Sequence, residues 1–175
     1  MSNIYFIGDP HIGHRNIIKY RGMFGHKTEL EHRQWIMDNW QSVVKPRDKV
    51  FVMGDAAFDV ESLAEFGKLH GTKVLVRGNH DDRFNAKDAL EYFEDVHGMI
   101  KYKKLWLTHC PMHPNELWGK VNIHGHVHTN TVNDPNYYNV SAENINGTPI
   151  SLEQLRINIA ENAEEFKLTG KIKHG

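Results

Sequence analysis

Five short segments bring imidazole, carboxylate and carboxamide side chains into one ordered series. They are Asp9-Pro10-His11, Gly54-Asp55, Gly78-Asn79-His80-Asp81, His109 and Gly125-His126-Val127-His128. The chemistry open to such a set is metal binding. Asp9 and His11 are alternate residues, as are His126 and His128, and alternate side chains on an extended stretch point the same way. Imidazole and carboxylate together suit Mn²⁺, Fe or Zn²⁺, and the lack of cysteine in the set disfavours a thiolate-rich zinc site. Asn79 offers a weaker amide oxygen, used where other groups define a site. Two cations about 3.5–4 Å apart can share a bridging carboxylate and a water that deprotonates near neutral pH. His80, directly after Asn79, is free to stay outside the ions as a proton donor to a leaving oxygen.

Ligands converge most readily when strand ends carry them, and each segment closes or closely follows an apolar, β-prone run. Ile4-Tyr5-Phe6-Ile7 stops at Gly8-Asp9-Pro10, the pattern of a buried strand over Asn3–Gly8. Lys49–Met53 and Thr72–Arg77 read the same way and deliver Gly54-Asp55 and Gly78-Asn79-His80. A short helix is expected near Asn16–Tyr20. The capping box Thr28-x-x-Glu31 opens an amphipathic helix carrying Leu30, Ile36, Met37, Trp40, Val43 and Val44. Further helices are expected around Val60–Leu69, ended by Gly71, and over Ala86–Phe93, capped by Asn85. Strand alternating with helix implies parallel strands with crossovers. The second half reads as strands His97–Tyr102 and Leu105–Thr108 around Lys103-Lys104, then Val121–His124 and Tyr137–Val140. A last helix runs from the capping box Ser151-x-x-Gln154 through about Glu165. Two sheets face to face with helices outside accommodate both halves, and residues 1–175 read as a single domain.

Composition narrows the partners. Net charge is −1 over 175 residues, so no global basic field recruits nucleic acid, and no nucleic-acid module is appended. The single cysteine, Cys110, excludes an internal disulfide framework and fits a reducing compartment. No apolar run approaches the roughly 18 residues of a membrane span, and no basic leader precedes the first strand. A cytoplasmic location without a membrane partner is expected, and homo-oligomerisation stays open. Histidine is abundant, 13 residues, but only His174 lies in a tail, so position carries the argument.

The five segments resemble the DxH, GD, GNH[DE], H and GHxH blocks of calcineurin-like metallophosphoesterases, in order, from Asp9 to His128. The DPHIGH opening, Asn139-Val140-Ser141 and Pro149-Ile150-Ser151-Leu152 are similar to a small phage and bacterial subgroup. The resemblance implies an α/β fold, a four-layer αββα sandwich of two mixed sheets flanked by helices. It implies that Asp9, His11 and His128 hold one metal, that Asn79, His109 and His126 hold the other, and that Asp55 bridges them. His80 would contact phosphate and act as general acid, with Asn79 also on the phosphate. Two divalent ions are implied, manganese favoured, with Fe, Zn, Ni or Co as alternatives. The implied reaction is hydrolysis of a small organic phosphate or a nucleotide, as a phosphodiesterase, by a hydroxide bridging the ions. A phosphomonoesterase is one alternative. A catalytically silent protein-interaction scaffold is another, and the filled ligand positions count against it.

Departures from related patterns matter. Protein Ser/Thr phosphatases of this superfamily continue GD as GDxVDRG, whereas this chain reads Gly54-Asp55-Ala56-Ala57-Phe58-Asp59 and lacks that arginine. A phosphoprotein substrate is therefore disfavoured, and His14 and Arg15 become candidate phosphate contacts. Arg77 and Arg83 flank the GNHD block and read as surface charge, with phosphate contact as the alternative. Position 116, where a cysteine phosphatase HCx5R loop would need arginine, is Glu116, so Cys110 reads as a small buried thiol beside a ligand. Trp118 reads as a core residue, or otherwise as a pocket wall. Lys101, Lys103 and Lys104 read as a solvated hairpin.

Overall fold

A computed structural model describes residues 2–175. Three strands that are apolar on both faces organise it: β1 (Ile4–Ile7), β2 (Lys49–Val52) and β3 (Thr72–Val76). Because side chains alternate across a strand, each supplies two cores at once. Tyr5, Ile7, Val50, Val52 and Leu75 face one side, while Phe6, Phe51, Val74 and Val76 face the other. With β4 (Asp95–His97) and β9 (Ile150–Ser151) they form a five-stranded sheet in the order β4-β3-β2-β1-β9, parallel except for β9.

The second sheet runs in the order β5 (Met99–Tyr102), β6 (Leu105–Thr108), β7 (Val121–His124) and β8 (Tyr137–Asn139). β5 is antiparallel to β6, and the others are parallel. Leu105, Leu107, Ile123, Tyr138 and Val140 meet Phe6, Phe51, Met53, Val74 and Val76 in the core between the sheets. Each such fully buried side chain contributes about 1.5–3 kcal/mol.

Helices close the outside, giving the mixed α/β sandwich that the resemblance implied. α1 (Ile17–Tyr20) is a single turn. α2 (Glu29–Val43) begins at the Thr28 cap, whose hydroxyl accepts from the Glu31 N–H at 3.2 Å. It lays Ile36 and Trp40 on the first sheet beside Leu63, Phe66 and Phe93, and the Trp40 indole N–H donates to the His70 carbonyl at 2.9 Å. α3 (Val60–Leu63) and α4 (Ala86–Ala89) are short, and the Asn85–Asp88 capping box starts α4. α5 (Leu152–Thr169) starts at the Ser151 cap and inserts Leu155 into the intersheet core.

The structure departs from expectation where one residue changes the partner. The run expected as one strand, His97–Tyr102, divides at Gly98. Val76 pairs with His97 in the first sheet, and Met99 pairs with Thr108 in the second. The helix expected over Ala86–Phe93 stops at Ala89, because the Glu94 N–H must donate to the Lys73 carbonyl at 2.8 Å to start β4 beside β3. The helix expected over Val60–Leu69 tightens into a 3₁₀ turn from Ala64 to Lys68. Leu30, expected on the apolar face of α2, is exposed. The last helix runs on to Thr169, ended by Gly170 in a left-handed conformation. Lys103 and Lys104, both at positive φ, form the expected two-residue hairpin turn.

Candidate metal centre

The parallel pairing of β1 with β2, of β2 with β3 and of β6 with β7 brings their C-terminal ends to one edge of the sandwich. Hydrogen bonding continues past the strands and pins the loops there. Asp9 N–H donates to the Gly54 carbonyl (3.1 Å), His11 N–H to Asp55 (2.9 Å), and Gly125 N–H to His109 (2.9 Å). Gly8 bridges Ser141 and so ties the sheets together beside the site. The loops are nevertheless sharply bent: Asp9, His11, Asp55, His126 and His128 all have φ between 50 and 71°. Non-glycine residues seldom occupy that region, and such outliers gather at functional sites. Gly54 has φ 81°, and a Cβ there would run into His109 Nδ1 and the Gly78 backbone. Glycine at this point lets two ligand-bearing strands approach.

The candidate ligands converge in overlapping groups. One donor atom from each of Asp9, His11 and His128 lies within 4.8 Å of the others, and the same holds for Asp9, Asp55 and His109. Asn79 Oδ1 lies 2.9 Å from both His109 Nε2 and His126 Nδ1, which are 3.2 Å apart. Asp55 Oδ2 sits between the groups, 3.8 Å from His11 Nε2 and 3.5 Å from His109 Nε2. Its other oxygen accepts from the His80 N–H at 2.8 Å. Burial drives His11 well below the ordinary histidine range, helped by the Arg21 charge. Against burial, which lowers it, the Asp55 and Asp9 carboxylates raise His109 to about 9. Burial also pushes the Asp9 carboxyl up, opposed by His109, His128 and the Ser141 hydroxyl, which donates to it at 2.7 Å.

Residues outside the expected set hold the centre in place. Asp81 is fully buried and accepts backbone N–H bonds from Gly78 (2.7 Å), Ala56 (2.9 Å) and Asp55 (3.0 Å), locking two of the segments together. Burial still lifts it to about 6. Arg21 and Glu143 form a buried pair, Nε to Oε1 2.7 Å, and Glu143 Oε1 lies 2.9 Å from His128 Nδ1. Burial would raise Glu143, but His128 and Arg21 bring it to about 2. The GNHD block offered a signal for Asp81. Arg21 and Glu143 carried no local signal, being separated by 122 positions.

Beside the ligands lies a cleft of about 470 Å³ whose lining includes His80, His14, Ile17, Tyr20, Phe58 and Arg83. The His14 ring stacks on Phe58 with centroids 4.0 Å apart, and the Arg83 guanidinium lies 4.6 Å from the same ring centroid. The structure thus brings His14 and His80 to the cleft. Arg15 is exposed and is not part of its lining, whereas Arg83 is. Cys110, expected to be a buried thiol beside a ligand, is exposed, yet its Sγ lies within 4.8 Å of donor atoms of His109 and His126, and the Thr108 hydroxyl donates to its carbonyl at 2.7 Å. Trp118, expected in the core, is 74% exposed, and its neighbour Leu117 takes the buried place. His124 is buried with Nδ1 2.9 Å from the Gly125 carbonyl, and exposed His113 caps the turn Pro114–Glu116.

The family model of calcineurin-like phosphoesterases matches residues 2–166. This chain belongs to that family. It is 32% identical over 167 residues to an uncharacterised protein of Methanocaldococcus jannaschii, covering 87% of this chain and 89% of that one. The gene 66 protein of Mycobacterium phage L5 is 33% identical over 169 residues, covering 74% and 79%. The crystal structure of a protein of unknown function from Aquifex aeolicus superposes with a TM-score of 0.72 at 28% identity, over 90% of this chain and 99% of that one. Membership identifies a metal-dependent type of phosphoester hydrolase.

The donors of this calcineurin-like phosphoesterase fit a divalent metal. His11 is 2% exposed, yet neither of its ring nitrogens has a hydrogen-bond partner. A buried imidazole left so costs about 1–3 kcal/mol unless something else engages it. The His109 Nδ1–H donates to the Met53 carbonyl at 2.8 Å, which turns Nε2 toward Asp55 and Asn79, the arrangement of a ligand imidazole. Among the described residues, no helix is long and apolar enough to cross a membrane.

Proposed function

We propose that this phosphoesterase is a two-metal phosphodiesterase acting on a small organic phosphate or a nucleotide. The observation that carries the reading is the convergence of Asp9, His11, Asp55, Asn79, His109, His126 and His128 beside a cleft that His80 enters without joining them. Asp9, His11 and His128 would hold one ion, Asn79, His109 and His126 the other, with Asp55 between. Two such ions, manganese in our reading, supply Lewis acidity to phosphate oxygens and an activated water.

The chain's own groups do the rest. The His80 backbone N–H is anchored on Asp55, which holds this residue at the edge of the centre. Its imidazole gives a proton to the leaving alkoxide oxygen as the ester bond breaks, worth roughly 10²–10⁴-fold. Arg83 brings positive charge into the cleft in place of the arginine that the Gly54-Asp55 segment lacks, and Ile17, Tyr20 and Phe58 offer apolar surface to the organic group. The volume suits a small ester.

The test is hydrolysis of bis-p-nitrophenyl phosphate and of an alkyl phosphodiester by manganese-loaded protein. His80→Ala is expected to retain its metal and to lose turnover mainly on the alkyl ester, whose leaving group needs the proton. Full activity of His80→Ala on both esters removes its assigned role. Metal-loaded wild type inert on every phosphoester removes the enzymatic reading in favour of a scaffold.

A further inference from the structure

The Arg21 and Glu143 side chains are 0% and 3% exposed and, though 122 positions apart, meet beside the ligand loops, with Glu143 in the lining of the cleft. Arg21 uses its whole guanidinium there. Nε donates to Glu143 Oε1 at 2.7 Å, Nη2 to the Asp9 carbonyl at 2.5 Å, and Nη1 to the Pro10 carbonyl at 3.4 Å. Nη1 also reaches His32 Nε2 at 2.7 Å. Removing such a pair's partner is costly, so one side chain is held rigidly by the other. Its backbone contacts fall on the turn between Asp9 and His11, where both residues have positive φ.

Glu143 Oε1 then lies 2.9 Å from His128 Nδ1. A carboxylate only accepts, so Nδ1 carries the hydrogen and the lone pair of His128 is on Nε2, on the other side of the ring. Metal-binding imidazoles are commonly set in this manner by an outer carboxylate, whose loss lowers metal affinity about 10- to 100-fold.

We propose that Arg21 and Glu143 are a positioning pair that fixes the His128 tautomer and so controls the affinity of the Asp9–His11–His128 position for its ion. The inference rests on the metal reading above. It makes the two positions unequal: among the described residues, no carboxylate makes the corresponding contact with His109, which uses the Met53 carbonyl.

Two measurements test it on the full chain. In metal-free protein, at a pH high enough for the imidazole to be neutral, ¹⁵N-resolved imidazole spectra are expected to show wild-type His128 in the Nδ1–H form and Glu143→Ala as a tautomer mixture. Manganese titration followed calorimetrically is expected to show two sites in wild type. In Glu143→Ala one should weaken about 10- to 100-fold and the other hold. Glu143→Gln keeps an acceptor oxygen, so it should weaken that site less and guards against a folding defect in the alanine variant. An unchanged tautomer, or equal weakening of both sites together with a lower thermal midpoint, overturns the positioning role. Wild type that takes up no ion, with the tautomer still responding, overturns the metal reading instead.

Discussion

His32 turns the buried arginine into a measurable acid sensitivity. Its Nε2 lies 2.7 Å from Arg21 Nη1, so it must accept there and stay neutral. Burial, reinforced by the Arg21 charge, lowers its pKa from 6.5 to about 3. The unfolded chain takes up a proton on this imidazole below about pH 6.5, while the folded chain does not until about pH 3. Stability from this group is therefore complete above pH 6.5 and is lost progressively as the pH falls toward 3. Each pH unit in that window is about 1.4 kcal/mol, so moving from pH 7 to 4.5 costs about 3 kcal/mol. That is a large part of an ordinary domain's stability of roughly 5–15 kcal/mol. Glutamine can still offer an oxygen to Arg21 but cannot take up a proton. Urea unfolding of metal-free wild type and His32→Gln at pH 7, 5.5 and 4.5 is the assay, because other titrating groups cancel in the difference. The wild type should lose about 3 kcal/mol more than the variant. Parallel stability curves for the two proteins would refute a neutral His32 and, with it, the charge distribution around Arg21.

Two further changes probe the centre. Gly54→Ala places a Cβ against His109 and Gly78 at φ 81°, and left-handed strain plus overpacking should cost about 3 kcal/mol. Scanning calorimetry should record a midpoint lower by about 6–12 °C, and a shift under 2 °C would contradict the close approach. Arg83→Met should raise KM on a phosphodiester about 10- to 100-fold, the worth of a charged hydrogen bond. It should leave kcat and the thermal midpoint near wild type, and an unaltered KM excludes Arg83 from the substrate.

The sequence was most legible where chemistry and local pattern coincide. The apolar runs before Asp9, Asp55 and Asn79 placed strand ends correctly, since a short run of consecutive large residues needs burial on both faces. The cap residues Thr28 and Ser151 marked the starts of the long helices, because a cap is a contact within one turn, although neither Glu31 nor Gln154 returns the bond that would complete a box. Legibility failed where the deciding partner is distant. Nothing next to Arg21 announces Glu143, and nothing in His97–Tyr102 says that the strand on one side of Gly98 belongs to a different sheet. Cys110 and Trp118 differ from expectation for another reason: hydrophobic character suggests burial, but the interior places there go to the neighbours His109 and Leu117.

The left-handed backbone at Asp9, His11, Asp55, His126 and His128 also constrains how this lineage can change. That region admits glycine, asparagine, aspartate and histidine far more readily than branched or bulky residues. A ligand lost by drift is thus replaced most easily by asparagine or glycine, because most other residues unsettle the loop as well as the centre. A descendant that abandoned hydrolysis while keeping the scaffold would carry those two residues at these places. The backbone would preserve a record of the vanished site after the chemistry had gone.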